Sequence, residues 1–481
     1  MAGVAVSECN KLWTRFHPRR FFLHFLKRIE IMKESEQNLT VGKVSEQLFK
    51  FTVPLFFANL LQAGYNIADM VVVGRYVGSS GLAAVSNASM LCFIITSIGI
   101  GITIGGTVLA ARARGGGDRT AERATVGTLF AVTALAALPV TAGGWWFSRN
   151  VFLLMKVPEE ALEQACGYMN ILSGGTLCVF GYNAVCALLR GLGDSRRPLL
   201  FVAIAAAVNI MLDLLLVGVW KLGVTGAAWA TVTAQAVALL AGLFYLKRRK
   251  FFRGFGRRDF LPRLGTAVGI LKTGIPSALQ MVVVNLAFLL VTGMFNRYGV
   301  TAAAAAGIGL KISTLAGMPC WAVGQAVTAM AAQNLGAGEV GRTAETVRAG
   351  IRFGLEATGI AVILIQLFAR QVIGCFDSDP EVIRAGVLYL RIFSSFSGLA
   401  YAVMYVCDAF ATGTGAPALA LFNALLEAVV LRLLLCWFFG TYLGWGFAGV
   451  CWGMALSTLP PAMIGLGYCR WGRWHRISAD H

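Results

Sequence analysis

The chain has 481 residues, of which 57% are hydrophobic and 13% charged, a composition that indicates an integral membrane protein and excludes an ordinary soluble domain. Its net charge of +18 would suit nucleic acid, but the basic residues lie between apolar runs, as in loops that face anionic lipid. We therefore predict a lipid bilayer as its surroundings and no nucleic-acid partner. The apolar runs lack the ten-residue alternation of barrel strands and predict helices.

Residues 1–46 form a polar segment that we assign to the cytoplasm. Its early basic cluster is followed by Phe21-Phe22-Leu23, an apolar core too short for a signal peptide. Met32 opens an ordinary start sequence, so we interpret residues 1–31 as an extension from a mis-called start codon and expect them to be dispensable. The alternative is a basic amphipathic helix on the membrane surface.

Twelve apolar runs follow, each with the length that a helix needs to cross about 30 Å of hydrocarbon. The predicted fold is an all-α membrane protein with twelve transmembrane helices. Their approximate bounds are 50–74, 82–110, 124–147, 165–189, 199–219, 224–246, 268–295, 302–330, 350–372, 388–411, 418–440 and 446–469.

Basic residues concentrate in every second loop, most of all in the linker 247–267 between the sixth and seventh spans, which opens with Lys247-Arg248-Arg249-Lys250. The positive-inside rule places these loops in the cytoplasm together with both termini, including the tail 471–481. We expect a multi-pass protein of the inner (cytoplasmic) membrane.

The two halves of the chain repeat each other. Pro54 recurs as Pro276, a shift of 222 residues (276 − 54), and Arg119-Thr-Ala-Glu122 recurs as Arg342-Thr-Ala-Glu345, a shift of 223 (342 − 119). Two homologous six-helix lobes around a central cleft, related by an axis along the membrane normal, are the architecture of an alternating-access transporter. The predicted lobes are residues 47–246 and 268–470.

Five motifs, in order between about residues 40 and 470, carry a resemblance to a known family. The motifs are Leu61-Gln62…Tyr65-x-x-x-Asp69-x-x-x-x-Gly74-Arg75, Leu189-Arg190-Gly191-Leu192-Gly193-Asp194, Asn209-x-x-x-Asp213, Gly223-x-x-Gly226-Ala227-Ala228-Trp229-Ala230-Thr231 and Gln333-Asn334-Leu335-Gly336-Ala337-Gly338. In these motifs the chain resembles the multidrug and toxic compound extrusion (MATE) family. The resemblance implies export of organic, often cationic, compounds in exchange for protons or sodium ions. Matched residue by residue, it implies a cation site at Asp69, Asn209, Asp213 and Thr231.

The same residues share one depth in the membrane. With the N-terminus inside, Asp69 lies about 8 Å, Asp213 about 9 Å and Thr231 about 10 Å below the outer edge. Asn209 and Asp213 are neighbours on one helix face, as are Tyr65 and Asp69, and we include Tyr65 among the candidate cation-binding residues. Two carboxylates, an amide and a hydroxyl suit Na⁺ or shared protons. The alternatives are acids that snorkel to the outer surface, or a network that only packs helices.

The second half has lost this set. The repeat shifts place Val291, Ala428, Arg432 and Met454 at the positions of Asp69, Asn209, Asp213 and Thr231. Because two homologous halves have similar packing needs, the one-sided set indicates a task of the first half.

Other polar residues lie in the second half. We interpret Lys311, Glu427 and Arg432 as a structural ion pair inside the lobe, with substrate contact as the alternative. Asp408 comes late in the tenth span and is interpreted as a loop residue at the cytoplasmic edge. Some branches of the family have acids in spans seven and ten, but span seven here offers amides, which argues against a cation site in this half. The candidate substrate-cleft residues are Gln62, Gln280 and Asn285.

We predict a monomeric antiporter that exports small organic molecules by alternating access, and not an enzyme. It needs no cofactor besides the coupling ion, H⁺ or Na⁺, and both ions stay open because they use the same oxygens. No P-loop pattern occurs in the sequence, so a P-loop does not supply the energy. The alternative is a lipid-linked oligosaccharide flippase of related fold, which should line its cleft with several cationic residues for pyrophosphate.

Overall fold

The fold is built from helices. A computed structural model describes residues 38–249, 251–252 and 255–476, and no strand occurs within these ranges. Ten of the described helices are long and apolar enough to cross a membrane, and two bent helix pairs bring the number to twelve. The predicted extension 1–31 and the last residues of the predicted tail, 477–481, lie outside the described residues.

The first half contains six spans. Individual residues explain where some of these helices begin or end. Gly78 has φ +93° and makes the tight turn between the first two helices. Asp118 caps the third by accepting hydrogen bonds of 2.9 Å from the backbone N–H groups of Thr120 and Ala121. The spans are α1 (Val44–Tyr76), α2 (Ser79–Gly115), α3 (Arg119–Leu154), α4 (Glu159–Gly174 and Thr176–Gly191, which meet at 51°), α5 (Arg196–Val219) and α6 (Gly223–Arg248).

The second half again contains six spans. Pro380 occupies the first turn of the tenth span, where its missing N–H costs nothing, and Asp379 caps that helix by accepting from the backbone N–H of Glu381 at 2.8 Å. The spans are α7 (Leu264–Asn296), α8 (Val300–Gly336), α9 (Val340–Gly374), α10 (Pro380–Gly413), α11 (Pro417–Tyr442) and α12 (Gly446–Ser457 and Leu459–Trp471).

The internal repeat is visible in the helix lengths. α1 and α7 both have 33 residues, and α2 and α8 both have 37. Pro54 and Pro276 lie inside the first helix of their respective halves. Gly299, with φ +97°, repeats the turn glycine Gly78. The predicted all-α fold with twelve spans in two related halves is confirmed.

The two halves contact each other through glycines toward the helix ends that the sequence assigns to the cytoplasm. α2 crosses α8 where a Cβ atom added to Gly115 would lie 1.9 Å from the carbonyl oxygen of Gln333. It crosses α7 where a Cβ on Gly105 would lie 2.1 Å from the carbonyl oxygen of Ile270. Glycine allows such backbone contact between membrane helices. The interface between the halves is therefore closed at this end.

Apolar side chains fill this closed end and also cover the outside of the helices. One buried core joins α1, α8 and α10 and includes Trp474, which is 1% exposed. Large apolar side chains such as Trp146 and Leu367 are instead exposed on their helices. A lipid environment accommodates a surface of this kind, whereas water would not.

Candidate cation site

The five residues of the predicted cation site come together in the first half. Tyr65 and Asp69 lie one turn apart on α1, Asn209 and Asp213 one turn apart on α5, and Thr231 lies on α6. Asp213 is fully buried, Asn209 is 1% exposed, and Asp69 and Tyr65 are each 9% exposed. The carboxyl groups of Asp69 and Asp213 interact directly. The structure brings the five side chains together, while their role as a cation site stays a prediction.

Few hydrogen bonds hold this group of side chains. The Asn209 Nδ2 atom donates to Thr231 Oγ1 at 3.4 Å, and Gln235 Nε2 donates to Tyr65 Oη at 3.5 Å. A buried acceptor without a donor costs about 1–3 kcal/mol. Five buried acceptor atoms, four of the group and one of the adjacent Gln235, have no hydrogen-bond partner among the described residues: Asp69 Oδ1, Asp213 Oδ1, Asp213 Oδ2, Asn209 Oδ1 and Gln235 Oε1.

This surplus of acceptors bears on the two alternatives to a cation site. A network that only packs helices would pair its polar atoms, because an unpaired buried group is costly. An acid that snorkels to the outer surface would be exposed, and Asp213 is fully buried. A bound Na⁺ can contact several of these oxygen atoms, and a proton can be shared between two of them, so the arrangement fits the predicted chemistry better than either alternative.

Two residues near the site were missed from the sequence. Gln235 lies one turn after Thr231 on α6 and lines the same pocket as Tyr65 and Asn209. Its spacing of four residues inside an apolar run could have revealed it. Tyr168 of α4 is 5% exposed and lies near Thr231 and both carboxyl groups. Only the packing of α4 against α6 reveals it, because the acids of α4 lie in its first two turns and none is one turn away from Tyr168.

An irregular helix segment begins directly after Asp213. α5 changes there from α-helical to π-helical geometry, over Leu214–Val219. π-helical turns occur mostly as single insertions and often at functional sites. α11 likewise has a π-helical segment, Leu425–Leu431, which contains Glu427 and ends next to Arg432. In both halves an irregular segment therefore adjoins the buried charged residues.

The site offers oxygen atoms, with no sulfur or imidazole. Within 38–249, 251–252 and 255–476 no group of three or more His, Cys, Asp or Glu side chains could hold a metal ion. The group of α1, α5 and α6 combines carboxylate, amide, hydroxyl and phenol oxygens instead. Such hard donors fit Na⁺ or a shared proton, as predicted for Asp69, Asn209, Asp213 and Thr231.

Apolar side chains occupy three of the four corresponding positions in the second half. Val291, Ala428 and Met454 are at most 1% exposed. Val291 and Met454 belong to one apolar core that contains residues of all six spans of the second half. The second half therefore buries hydrocarbon where the first half buries acceptor oxygens, and packing alone does not require the polar set.

The fourth position, Arg432, forms an ion pair. Its guanidinium contacts the Glu427 carboxylate, and both side chains are at most 3% exposed. The guanidinium also lies 4.4 Å from the centroid of the Phe288 ring, within range of a cation–π contact. The predicted ion pair forms between Glu427 and Arg432, while its structural role stays a prediction; Lys311 is exposed and takes no part in the pair.

Glu427→Gln should destabilise the protein more than it changes the range of compounds exported. The substitution leaves the buried Arg432 guanidinium without its counter-charge, which typically costs about 3–5 kcal/mol. We expect a clear fall in the thermal midpoint of the protein in detergent. Glu356→Gln is the matched control, because Glu356 forms an exposed ion pair with Arg352 that contributes at most about 1 kcal/mol. A stable Glu427→Gln variant that loses only cationic compounds would make Glu427 a substrate residue.

The interpretation of Asp408 as a loop residue is wrong. Asp408 lies inside α10, five residues before its end, and is 3% exposed. The Asn423 Nδ2 atom of α11 donates to Asp408 Oδ1 at 2.7 Å. The position of Asp408 late in the span suggested the cytoplasmic edge of the membrane. In the structure, α11 and α12 pack over this end of α10 and bury it.

The predicted substrate-cleft residues remain predictions. Gln62 and Asn285 are exposed and Gln280 is half-buried, as expected of residues beside an open cleft. The Asn285 Nδ2 atom donates to the carbonyl of Met281 in its own helix at 2.9 Å. Neither their exposure nor this bond identifies a bound molecule.

Twelve spans in two sequence-related halves, with a neighbouring pair of buried carboxyl groups in the first half, define a secondary transporter of the repeat-built class. The chain belongs to the MatE family: the family model matches residues 54–215 and 276–438, once in each half. The starts of the two matches are 222 residues apart (276 − 54) and their ends 223 (438 − 215), which are the repeat shifts found in the sequence.

Relatives and solved structures agree with this family. The chain is 29% identical over 450 residues to the probable multidrug resistance protein YpnP of Bacillus subtilis (strain 168), covering 92% of this chain and 98% of the relative. It is 32% identical to YoeA of the same organism, also a probable multidrug resistance protein, over 73% of this chain and 79% of the relative. A solved outward-facing multidrug resistance MATE family transporter superposes with a TM-score of 0.86 at 24% identity, covering 93% of this chain and 98% of the other.

Proposed function

We propose that this chain exports small organic molecules, in particular organic cations, in exchange for H⁺ or Na⁺ that enters through Asp69 and Asp213. The observation that carries the proposal is the buried group on α1, α5 and α6, whose acceptor oxygens lack hydrogen-bond partners in the described part of the chain. Family membership and relatives named as multidrug resistance proteins support the export of drug-like compounds.

The coupling requires two conformations with different cation affinity. In the conformation described, the halves are closed at the end that we assign to the cytoplasm, so an entering cation meets Asp69 and Asp213 from the outer side. Cation binding neutralises the carboxyl pair and removes the cost of two buried negative charges in contact. A rearrangement of α1 around the neutralised site would then favour release of the organic molecule outside.

The alternative of a lipid-linked oligosaccharide flippase gains no support. A pyrophosphate group needs several free cationic side chains in the cleft. Of the two basic residues that the sequence offers for this role, Arg432 is paired with Glu427, and Lys311 stands alone. We further propose that the protein acts as a monomer in the inner membrane with both termini in the cytoplasm.

Efflux from proteoliposomes tests the function directly. Vesicles containing the purified protein are loaded with a fluorescent organic cation and given either a pH gradient or a sodium gradient, one at a time. One of the two gradients should drive transport, and that result identifies the coupling ion. Protein-free vesicles are the control. Transport by the protein that is the same with and without both gradients would contradict a coupled antiporter.

A further inference from the structure

Lys311 is a charged residue of α8 that the proposed cation site does not use. It is exposed, and within 38–249, 251–252 and 255–476 it forms no ion pair with an Asp or Glu side chain. Lys311 lies nine residues inside the predicted span 302–330 (311 − 302), about 14 Å below the outer edge and close to the middle of about 30 Å of hydrocarbon. Snorkelling to the surface suits lysines near helix ends, so a lysine at this depth should face a water-filled cavity.

The position of Lys311 on its helix directs it toward the first half. Lys311 lies 25 residues before Gly336 (336 − 311), which is about seven turns of 3.6 residues, so the two residues share one face of α8. Gly336 contacts α2, because a Cβ atom added to it would lie 2.2 Å from the carbonyl oxygen of Arg112. The face of α8 that packs against α2 at the closed end therefore continues outward to Lys311.

The helix α2 has a corresponding face. Met90 lies 25 residues before Gly115 (115 − 90), which contacts the backbone of α8 at Gln333. One shift of 221 residues relates Met90 to Lys311 (311 − 90) and Gly115 to Gly336 (336 − 115). Equivalent positions of two halves related by an axis along the membrane normal face each other across that axis. Met90 and Lys311 therefore lie on opposite sides of the space between the halves.

This space is open at the depth of Lys311. Met90 is 42% exposed, Ile94 one turn further along α2 is 45% exposed, and Leu315 one turn after Lys311 is 46% exposed. At the closed end, by contrast, Ala332 of α8 is fully buried against α2. The cleft between the halves thus has three apolar side chains and one ammonium group on its walls.

An ammonium group opposite an apolar wall selects a particular kind of molecule. The Lys311 Nζ atom can form a charge-assisted hydrogen bond of about 2.7–2.9 Å with a carboxylate. Met90, Ile94 and Leu315 can cover an apolar ring system, and the methionine side chain adapts to different shapes. One lysine suits one carboxylate group, whereas it repels a molecule whose only charge is positive.

We propose that Lys311 is a specificity-determining residue of the substrate cleft, which binds the carboxylate of zwitterionic organic molecules. This inference rests on the proposed function and narrows its substrates to organic cations that also carry a carboxylate group. The carboxylate pairs with Lys311, and the ring system that carries the positive charge lies against Met90 and Ile94 on the opposite wall.

Binding of two matched dyes tests this specificity. Rhodamine B has a cationic ring system and a free carboxylate, and its ethyl ester has the same ring system without the carboxylate. Fluorescence polarisation with the detergent-purified protein should show tighter binding of rhodamine B than of the ester. Lys311→Met, which copies Met90 of the first half, should weaken the binding of rhodamine B about tenfold, the effect of losing one charge-assisted hydrogen bond. The same variant should bind the ester at least as tightly as the wild type does.

Two further variants control for the substitution itself. Lys311→Arg should keep the preference for rhodamine B, because a guanidinium group also binds carboxylate. Lys272→Met, at an exposed position of α7 toward its cytoplasmic end, should bind both dyes like the wild type. A wild type without a preference for rhodamine B, including one that binds neither dye, would overturn the proposal. Equal losses for the two dyes in Lys311→Met would also overturn it.

Thiol labelling tests the orientation of Lys311 independently. After replacement of Cys375 and Cys9 by serine, Lys311→Cys should react with a charged, membrane-impermeant thiol reagent added from the outer side, and rhodamine B should slow this reaction. Leu367→Cys, at an exposed apolar position of α9, is the control and should stay unlabelled in lipid. An unreactive Lys311→Cys would place the residue against lipid and overturn the proposal. A wild type that prefers rhodamine B in the binding assay but exports neither dye under either gradient would instead contradict the proposed function alone.

Discussion

Asp69→Asn and Asp213→Asn should each reduce gradient-driven efflux to the background rate, and the double variant should lose no more than either single variant. The two carboxyl groups interact directly and share one buried group of acceptors, so they should bind the coupling cation as a unit. Residues that act as a unit give strongly non-additive losses. Equilibrium binding of the organic molecule to the detergent-purified variants should largely survive, because the predicted cleft is built from other residues.

The measurement compares efflux from proteoliposomes with equilibrium binding for all three variants. Asp118→Asn is the matched control: it makes the same chemical change at an exposed position and should transport like the wild type. Near-normal efflux by either single variant would exclude a shared site. Losses that multiply in the double variant would show two acids working independently.

Local patterns in the sequence predicted much of the fold. The length of an apolar run is nearly enough to predict a transmembrane helix, because a helix needs about 20 apolar residues to cross the hydrocarbon. The pairs Tyr65 with Asp69 and Asn209 with Asp213 were recognisable because a spacing of four residues places two side chains on one helix face. The family resemblance added Thr231 of another helix, and the depth argument agreed with it, since residues at one depth on neighbouring spans can meet.

What the sequence did not show depends on packing between helices that are distant in the chain. Tyr168 lies at the site because α4 packs against α6, and the sequence around Tyr168 does not show this packing. Asp408 was placed at an edge from its position in the chain, whereas the structure buries it beneath α11 and α12. The glycine contacts of α2 also depend on packing between distant helices. A glycine-rich span predicts that another helix crosses closely, but it does not identify which helix.

Gly115→Ala should weaken the closed interface between the halves. The added Cβ would lie 1.9 Å from the Gln333 carbonyl oxygen and 2.8 Å from its carbonyl carbon, and backbone atoms cannot rotate away as a side chain can. Overpacking of this kind typically costs about 1–3 kcal/mol. Because the clash exists only where α2 crosses α8, it should raise the population of the state that is open at this end, by about tenfold for 1.4 kcal/mol.

A thiol introduced by Ala332→Cys reports the opening, because Ala332 is fully buried against Val108 and Ala111 of α2. Cys375, which is exposed, and Cys9, which lies outside the described residues, are first replaced by serine, and the rate of labelling with a thiol reagent is measured with and without Gly115→Ala. Gly143→Ala is the control, since a Cβ there meets no heavy atom of the described chain within 4 Å. We expect about tenfold faster labelling with Gly115→Ala, together with slower efflux, and no change with Gly143→Ala. Equal labelling rates in all three backgrounds would mean that the crossing at Gly115 does not hold the halves closed.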